Sequence, residues 1–449
     1  MKSFFATISL LCSLFPASQA QVLPSTKQIQ WQQMETTLFA HFTVNTYTDK
    51  EWGEGTESPT IFNPANLDAR QWAKAAKEGG FKMIILTAKH HDGFCLWPSK
   101  YTNHSVKSSP WKDGKGDVVK EVSDACREAG IKFGVYLSPW DRHEPTYGTD
   151  KYNDYYKSQL RELLTNYGEI SEVWFDGAKG ENAKDMKYDF QGYWNIVRQL
   201  QPNAVLFSDI GPDVRWVGNE KGFAGETCWS TITTDNMAIG KDDSKYLNVG
   251  DANGKYWITP ECDVSIRKGW FYHESENNTV RTPQNLVDLY YKSVGRNGLL
   301  LLNIPPNKSG LFDETDIASI KEFRSILNET FANNLAKGKA PSMLTDNKLN
   351  TSITLQPNQI WELNFKQSVQ FDRVSLQENI AKGQIIESLT IQYWDGGSWQ
   401  NLCNATTVGY KKLLKTNLVE TNKVRMKIHK AKGTVNLAEI GFYKASDRE

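Results

Sequence analysis

Apolar residues over the first three-quarters of the chain fall into two textures. Short β-rich runs lie at 38–42, 83–88, 133–138, 172–175, 204–209, 225–229, 262–266 and 299–304. Between them, at 67–78, 117–129, 152–166, 192–200 and 283–294, apolar residues recur every three and four positions. The first texture is that of buried strands and the second that of amphipathic helices, several of them ended by glycine or proline. Eight strands alternating with helices predict an α/β fold in which a parallel sheet closes into a (β/α)8-like barrel. The sixth and seventh runs are the least regular, because 231–255 is polar, rich in Gly and Asp, and reads as a long loop. A distorted barrel is therefore expected.

Beyond a helix at about 316–331 and a polar linker at 334–341, the texture changes. Alternating segments at 360–365, 389–394 and 424–428, with Gly396-Gly397 as a turn, predict an all-β sandwich. A barrel over 21–333 and a sandwich over 342–449 are ordinary domain sizes for a chain of 449 residues. Trp394 and Trp399 are read as core residues of that sandwich rather than as stacking platforms.

Residues 1–20 carry Lys2, an apolar run from Phe4 to Phe15 and a small-residue stretch ending at Ala20, the pattern of a secretory signal. The run is too short to span a bilayer. Export to a bacterial periplasm or the extracellular space is expected. A lipid anchor on Cys12 is disfavoured by Leu10 and Leu11 before it. The remaining five cysteines, Cys95, Cys126, Cys228, Cys262 and Cys403, are odd in number and scattered, so no disulfide framework is predicted. Lysine plus arginine equals aspartate plus glutamate at 52 each, leaving no positive excess to hold a nucleic acid.

In a barrel of this kind the chemistry sits where strands end, so the polar residue after each strand is the place to search. The first run ends at His41 and leads to Glu51-Trp52; the second ends at His90-His91-Asp92; the third includes Tyr136; the fourth ends at Asp176-Gly177. Of only seven histidines in the chain, three fall at these ends. Neighbouring strand residues point opposite ways, so one of His90 and His91 could be a core residue. Metal binding by the pair is disfavoured, since no further His or Cys cluster has ligand spacing, and no cofactor is implied. Asp176 follows an apolar Val-Trp-Phe strand without an adjacent basic residue, which marks a poised carboxylate. Retaining glycoside hydrolysis uses such a nucleophile with a second carboxyl as acid and base. Candidates for the second are Asp209, Asp213, Glu220, Glu226, Glu261 and Glu274, with Glu220 slightly ahead because its aromatic neighbours could raise its pKa.

Glu51-Trp52, His90-His91-Asp92-Gly93-Phe94 with Trp97, and Val173-Trp174-Phe175-Asp176-Gly177 together resemble glycoside hydrolase family 29, the α-L-fucosidases, over about 30–331. The resemblance implies a retaining, exo-acting double displacement on fucosylated glycans with Asp176 as nucleophile. It implies that His41, Glu51, Trp52, His90, His91 and Tyr136 hold the fucose hydroxyls and that Trp229 forms part of the pocket wall. The stretch Arg215-Trp216-Val217-Gly218-Asn219-Glu220 is similar to that of the branch acting on α-1,3/1,4-linked, Lewis-type fucose, which implies Glu220 as acid/base. Residues 340–446 resemble a discoidin-like (factor V/VIII type C) module, on Phe371-Asp372-Arg373-Val374, Gly409-Tyr410-Lys411-Lys412 and Val424-Arg425. A glycosidase for a related sugar such as an L-galactoside, and a non-catalytic carbohydrate-binding protein, are the alternatives.

Overall fold

The computed structural model describes residues 21–241 and 243–449; the expected export signal at 1–20 lies outside the described residues. Eight parallel strands close into a barrel: β1 (Thr36–Ala40), β2 (Met83–Lys89), β3 (Lys132–Leu137), β4 (Glu172–Trp174), β5 (Val205–Ser208), β6 (Val214–Trp216), β7 (Thr259–Ser265) and β8 (Leu299–Asn303). They follow one another around the ring in chain order, and β8 closes on β1 with Thr36 opposite Leu300. β1, β2, β7 and β8 are buried at every position, since helices cover one face and the barrel interior the other.

The outer layer is built as the periodicity predicts. Helix α1 (Thr26–Gln32) is set by a Ser25/Gln28 capping box. Asp68 and Asp117 cap α2 (Ala69–Glu78) and α3 (Val118–Ala129), and Gly130, at φ 71°, stops α3. The inner layer is separate: Trp31 from α1 plugs the end where the strands begin, and Phe39, Ile85, Tyr136, Trp174, Phe207 and Leu301 fill the ring above it.

The sixth strand differs from the expected one. It is Val214–Trp216, whereas 225–229 is irregular backbone whose N–H groups reach Asn248 O, Val249 O and the Thr407 hydroxyl. The true strand is three residues long and carries Arg215, which has no solvent exposure and donates to the carbonyls of Leu247, Ile258 and Trp229. No helix separates β5 from β6, and the expected loop at 231–255 contains a helix, Ser244–Val249, and a ribbon pairing Thr231–Ile232 with Tyr256–Trp257.

The C-terminal part is a six-stranded antiparallel sheet: β9 (Ile353–Leu355), β10 (Ile360–Glu378), β11 (Ile386–Trp394), β12 (Trp399–Ala405), β13 (Lys412–Ala431) and β14 (Val435–Tyr443). Its order is β9-β14-β10-β13-β11-β12. Register shifts after Asn364 and Phe371 bend the long β10–β13 ribbon, so that Leu363 and Phe365 from one half and Phe371 and Val374 from the other share one core with Phe442 of β14. The segment 334–341 is packed rather than free, with Ala336 fully buried in that core and the Asn334 amide donating to Ile440 O at 3.0 Å. Trp394 and Trp399 are not in the core: both are half-buried on the outer face, edge to face at 5.6 Å, beneath Lys423 and Arg425.

The sheet docks on the end of the barrel where strands begin. Glu35, just before β1, accepts the hydroxyls of Tyr290 at 2.5 Å and Tyr410 at 2.8 Å and pairs with Lys411. Asn297, before β8, accepts the Tyr410 N–H at 2.8 Å. The opposite end is left open.

That open end is braced by a buried ion pair. Lys89 at the tip of β2 meets Asp141, in the loop after β3, at 2.8 Å, both essentially without solvent exposure, and Asp141 also accepts the N–H groups of His143 and Glu144. Removing the cation strands a buried carboxylate. Lys89→Met is expected to lower the unfolding free energy in urea by roughly 3–5 kcal/mol; a loss below about 1 kcal/mol, typical of an exposed pair, would refute the brace.

Candidate active site

Strand ends β1 to β4 deliver one side chain after another to a cavity of about 330 Å³ at the open end. His41, His90, His91, Tyr136 and Asp176 line it, over a floor of Phe39 and Trp174. Local backbone explains their placement. Gly93 sits at φ 77°, and a Cβ there would meet Asp141 Oδ1 at 2.5 Å, so only glycine turns the chain sharply after His90-His91-Asp92. Asp92 locks the turn by accepting Phe94 N at 2.6 Å and the Thr43 hydroxyl at 2.8 Å. Gly177 lets Asp209 pack against the backbone after Asp176, since a Cβ would lie 1.9 Å from the Asp209 carboxyl.

Asp176 Oδ2 accepts the Tyr136 hydroxyl at 2.9 Å and lies 3.7 Å from His91 Nε2, while Oδ1 accepts Ala178 N at 2.7 Å. The imidazoles are neutral. Burial holds His41 down to about 3 and His91 to about 4, and drives His90 well below its ordinary value. Their tautomers follow from the partners. The Ser138 hydroxyl donates to Trp140 O at 2.6 Å, so it accepts from His91 Nδ1 at 2.7 Å, leaving Nε2 an acceptor beside Asp176. The Asn303 amide donates to Ser265 and to Trp270 O, so its oxygen accepts from His41 Nδ1 at 2.8 Å, which makes His41 Nε2 an acceptor too. Two imidazole lone pairs and a carboxylate suit a ligand that offers several hydroxyl protons.

The remaining wall comes from β6 and β7. Arg215, held by three carbonyls, fixes the start of the segment that carries Trp216 and Glu220 to the cavity. Glu220 is open to solvent on one side. Desolvation on its packed side raises its pKa, the hydrogen bond with Trp270 opposes this, and the charges of Asp176 and Glu51 add to the rise. Asp263, also in the wall, accepts the Trp216 indole at 2.9 Å and is pushed far up by burial and then by Glu220.

Two of the expected site residues, Glu51 and Trp229, do not line this cavity. Glu51 is outside the cavity wall; its carboxylate accepts Trp270 N at 2.7 Å, Phe271 N at 3.1 Å and His273 Nε2 at 2.6 Å, holding the loop that presents Trp270. Trp229 lies under Lys432 from the C-terminal sheet, 5.4 Å from its ring, with its carbonyl on Arg215, at the docking end of the barrel and away from the cavity. Trp52 is at the rim, 45% exposed, edge-on to His91 and Trp140. Asp263 and Trp270 were not singled out from the sequence. For Asp263 the signal was present, because Glu261, Asp263 and Ser265 recur at period two on one barrel strand.

A family model described as alpha-L-fucosidase matches residues 16–330. The chain belongs to that family, glycoside hydrolase family 29, and is an α-L-fucosidase. It is 48% identical to Alpha-L-fucosidase 1 of Arabidopsis thaliana over 94% of this chain and 87% of the plant protein. A family 29 member from an unknown rumen bacterium superposes with TM-score 0.88 at 41% identity, over 95% of this chain and 78% of that one. A family 29 fucosidase from Ruminococcus gnavus, solved in complex with fucose, gives TM-score 0.88 at 33% identity over 96% and 97% of the two chains. The α-L-fucosidase family thus accounts for the barrel, and the matched structures extend through the C-terminal sheet.

Two outcomes follow for the site. Tyr136→Phe, which removes one hydrogen bond to a carboxylate, is expected to lower kcat/KM for a fucoside by roughly 10- to 100-fold; an unchanged value would show that the hydroxyl does not act on Asp176. Because His91 takes its proton only near pH 4 when folded but at its ordinary value when unfolded, the unfolded chain binds the extra proton in between, and stability falls as pH drops through that window. Thermal melts of His91→Asn between pH 7 and 4 should show a shallower fall than the parent; parallel curves would contradict a neutral buried imidazole.

Proposed function

We propose that the chain is a retaining, exo-acting α-L-fucosidase that releases α-1,3/1,4-linked fucose from branched, Lewis-type glycans. The observation that carries the reading is Asp176 at the tip of β4, fixed by Tyr136 and Ala178 and facing a cavity that also holds Glu220, whose pKa is raised by desolvation. Asp176 attacks the anomeric carbon as the glycosidic C–O bond breaks, and Glu220 gives its proton to the departing oxygen. Glu220, now a carboxylate, takes a proton from water. The resulting hydroxide attacks the same carbon and frees Asp176.

The sugar's hydroxyls donate to His41 and His91, with His90 and Tyr136 alongside. The aromatic floor of Phe39 and Trp174 suits the apolar face and methyl group of fucose. Trp52 at the rim faces the leaving part of the glycan. The linkage preference rests on the Arg215–Glu220 stretch, whose arginine, tryptophan and glutamate each have a physical part in presenting the acid. Residues 342–449 form a discoidin-like module joined through 334–341 to a catalytic barrel at 21–333, and residues 1–20 direct export, to the periplasm or beyond. Among the described residues no helix is long and apolar enough to cross a membrane.

Asp176→Asn is expected to reduce fucose release at least about a thousandfold while retaining fucose binding; undiminished release would remove Asp176 from the mechanism. Side by side, a Lewis-type trisaccharide should be cleaved far faster than an α-1,2-fucosyl trisaccharide or an aryl fucoside. Equal rates on all three would overturn the linkage preference and weaken the role of Glu220.

A further inference from the structure

Beneath the cavity floor, inside the ring of strands, two carboxyls face each other. Glu172 on β4 and Glu261 on β7 have no solvent exposure. Glu172 Oε2 accepts the Trp31 indole N–H at 2.7 Å, and Glu261 Oε1 accepts the Trp174 indole N–H at 2.8 Å. Their other oxygens, Glu172 Oε1 and Glu261 Oε2, are buried with no donor to accept from, and the two side chains lie within hydrogen-bonding reach of each other. Ionised carboxyls are acceptors only and cannot bond to one another; one proton turns one of these oxygens into a donor. The other titratable groups nearby are acidic: Asp213, which Lys27 and Arg198 already hold at 3.2 and 2.7 Å, faces Glu172, and Asp263 is two residues along β7 from Glu261.

We propose that Glu172 and Glu261 share a single proton and act as a positioning pair that fixes the Trp174 indole, and with it the floor of the fucose cavity. Trp174 stacks on Phe207 at 4.0 Å, nearly parallel, and on Tyr136 at 5.4 Å, whose hydroxyl is bonded to Asp176. A shift of the indole therefore reaches the carboxylate through one ring. Desolvation favours a proton on the pair: it raises both carboxyls above their ordinary value, and the charge of Glu172 raises Glu261 further. Neither residue touches the cavity, so the pair acts on substrate only through Trp174.

Amide substitutions separate this arrangement from two independent carboxyls. In Glu172→Gln or Glu261→Gln, an amide N–H takes the place of the shared proton, the other partner stays ionised, and both indoles keep an acceptor. In the double variant each amide oxygen accepts its indole, which leaves two NH2 groups facing each other with no acceptor. Each single variant is expected to keep kcat/KM on a fucoside within about threefold of the parent, and the double variant to lose roughly thirtyfold or more. The loss should fall mainly on KM, with a shift in tryptophan emission. A double variant whose loss equals the product of the singles, or a single variant as damaged as the double, would overturn the proposal. If the double variant does not fold, infrared spectroscopy decides: the difference spectrum between the parent and Glu261→Gln at neutral pH should show a buried protonated-carboxyl stretch belonging to the parent, and no such difference band would overturn the shared proton. The infrared arm is independent of any substrate, so its failure is distinct from a failure of the linkage or retention reading.

Discussion

Desolvation inside a closed ring of strands is the constraint from which the rest of this site follows. The interior and its mouth bury three imidazoles and the carboxyls of Glu172, Glu261 and Asp263, and the lysines and arginines that could offset their charge are engaged elsewhere, Lys89 with Asp141 and Arg215 with three carbonyls. Charge is costly there, so the imidazoles are held neutral and the interior carboxyls are shifted toward their protonated forms. Neutral imidazoles whose Nδ1 is committed to Ser138 and Asn303 become acceptors on the cavity side. A pocket of acceptors over an aromatic floor is complementary to a hydroxyl-rich sugar with an apolar face. Binding chemistry here is thus a consequence of burial as much as of residue type.

The two ends of the barrel divide the work. Where strands begin, Glu35, Asn297 and Trp229 are taken up in docking the C-terminal sheet. Where they end, an ion pair, a left-handed glycine and backbone N–H groups donating to carboxylates hold the loops without filling the mouth. Glu51 belongs to this second group: it shapes the cavity by anchoring the backbone of Trp270 and Phe271.

The barrel was legible because strands buried on both faces are apolar throughout and helices buried on one face are periodic. Val214–Trp216 escaped notice because a fully buried arginine interrupts a strand of three residues, and nothing local in a sequence distinguishes an arginine satisfied by carbonyls from one on the surface. That Asp176 and three histidines meet at one end of the barrel was legible from their place after apolar runs. Trp229 was misplaced because its surroundings come from Lys432, two hundred residues away, and Trp394 and Trp399 because sheet faces are assigned by pairing that alternation alone leaves open. The Glu172–Glu261 pair was invisible for the same reason: it joins strands four and seven across the ring.

In the proposed mechanism Asp176 attacks the sugar and water enters only afterwards. Time-resolved proton NMR of the first turnovers tests it most directly. Fucose is expected to appear first as the α-anomer and then to equilibrate in solution. Fucose appearing first as the β-anomer would mean that water attacks the anomeric carbon directly, and would contradict the nucleophile assigned here.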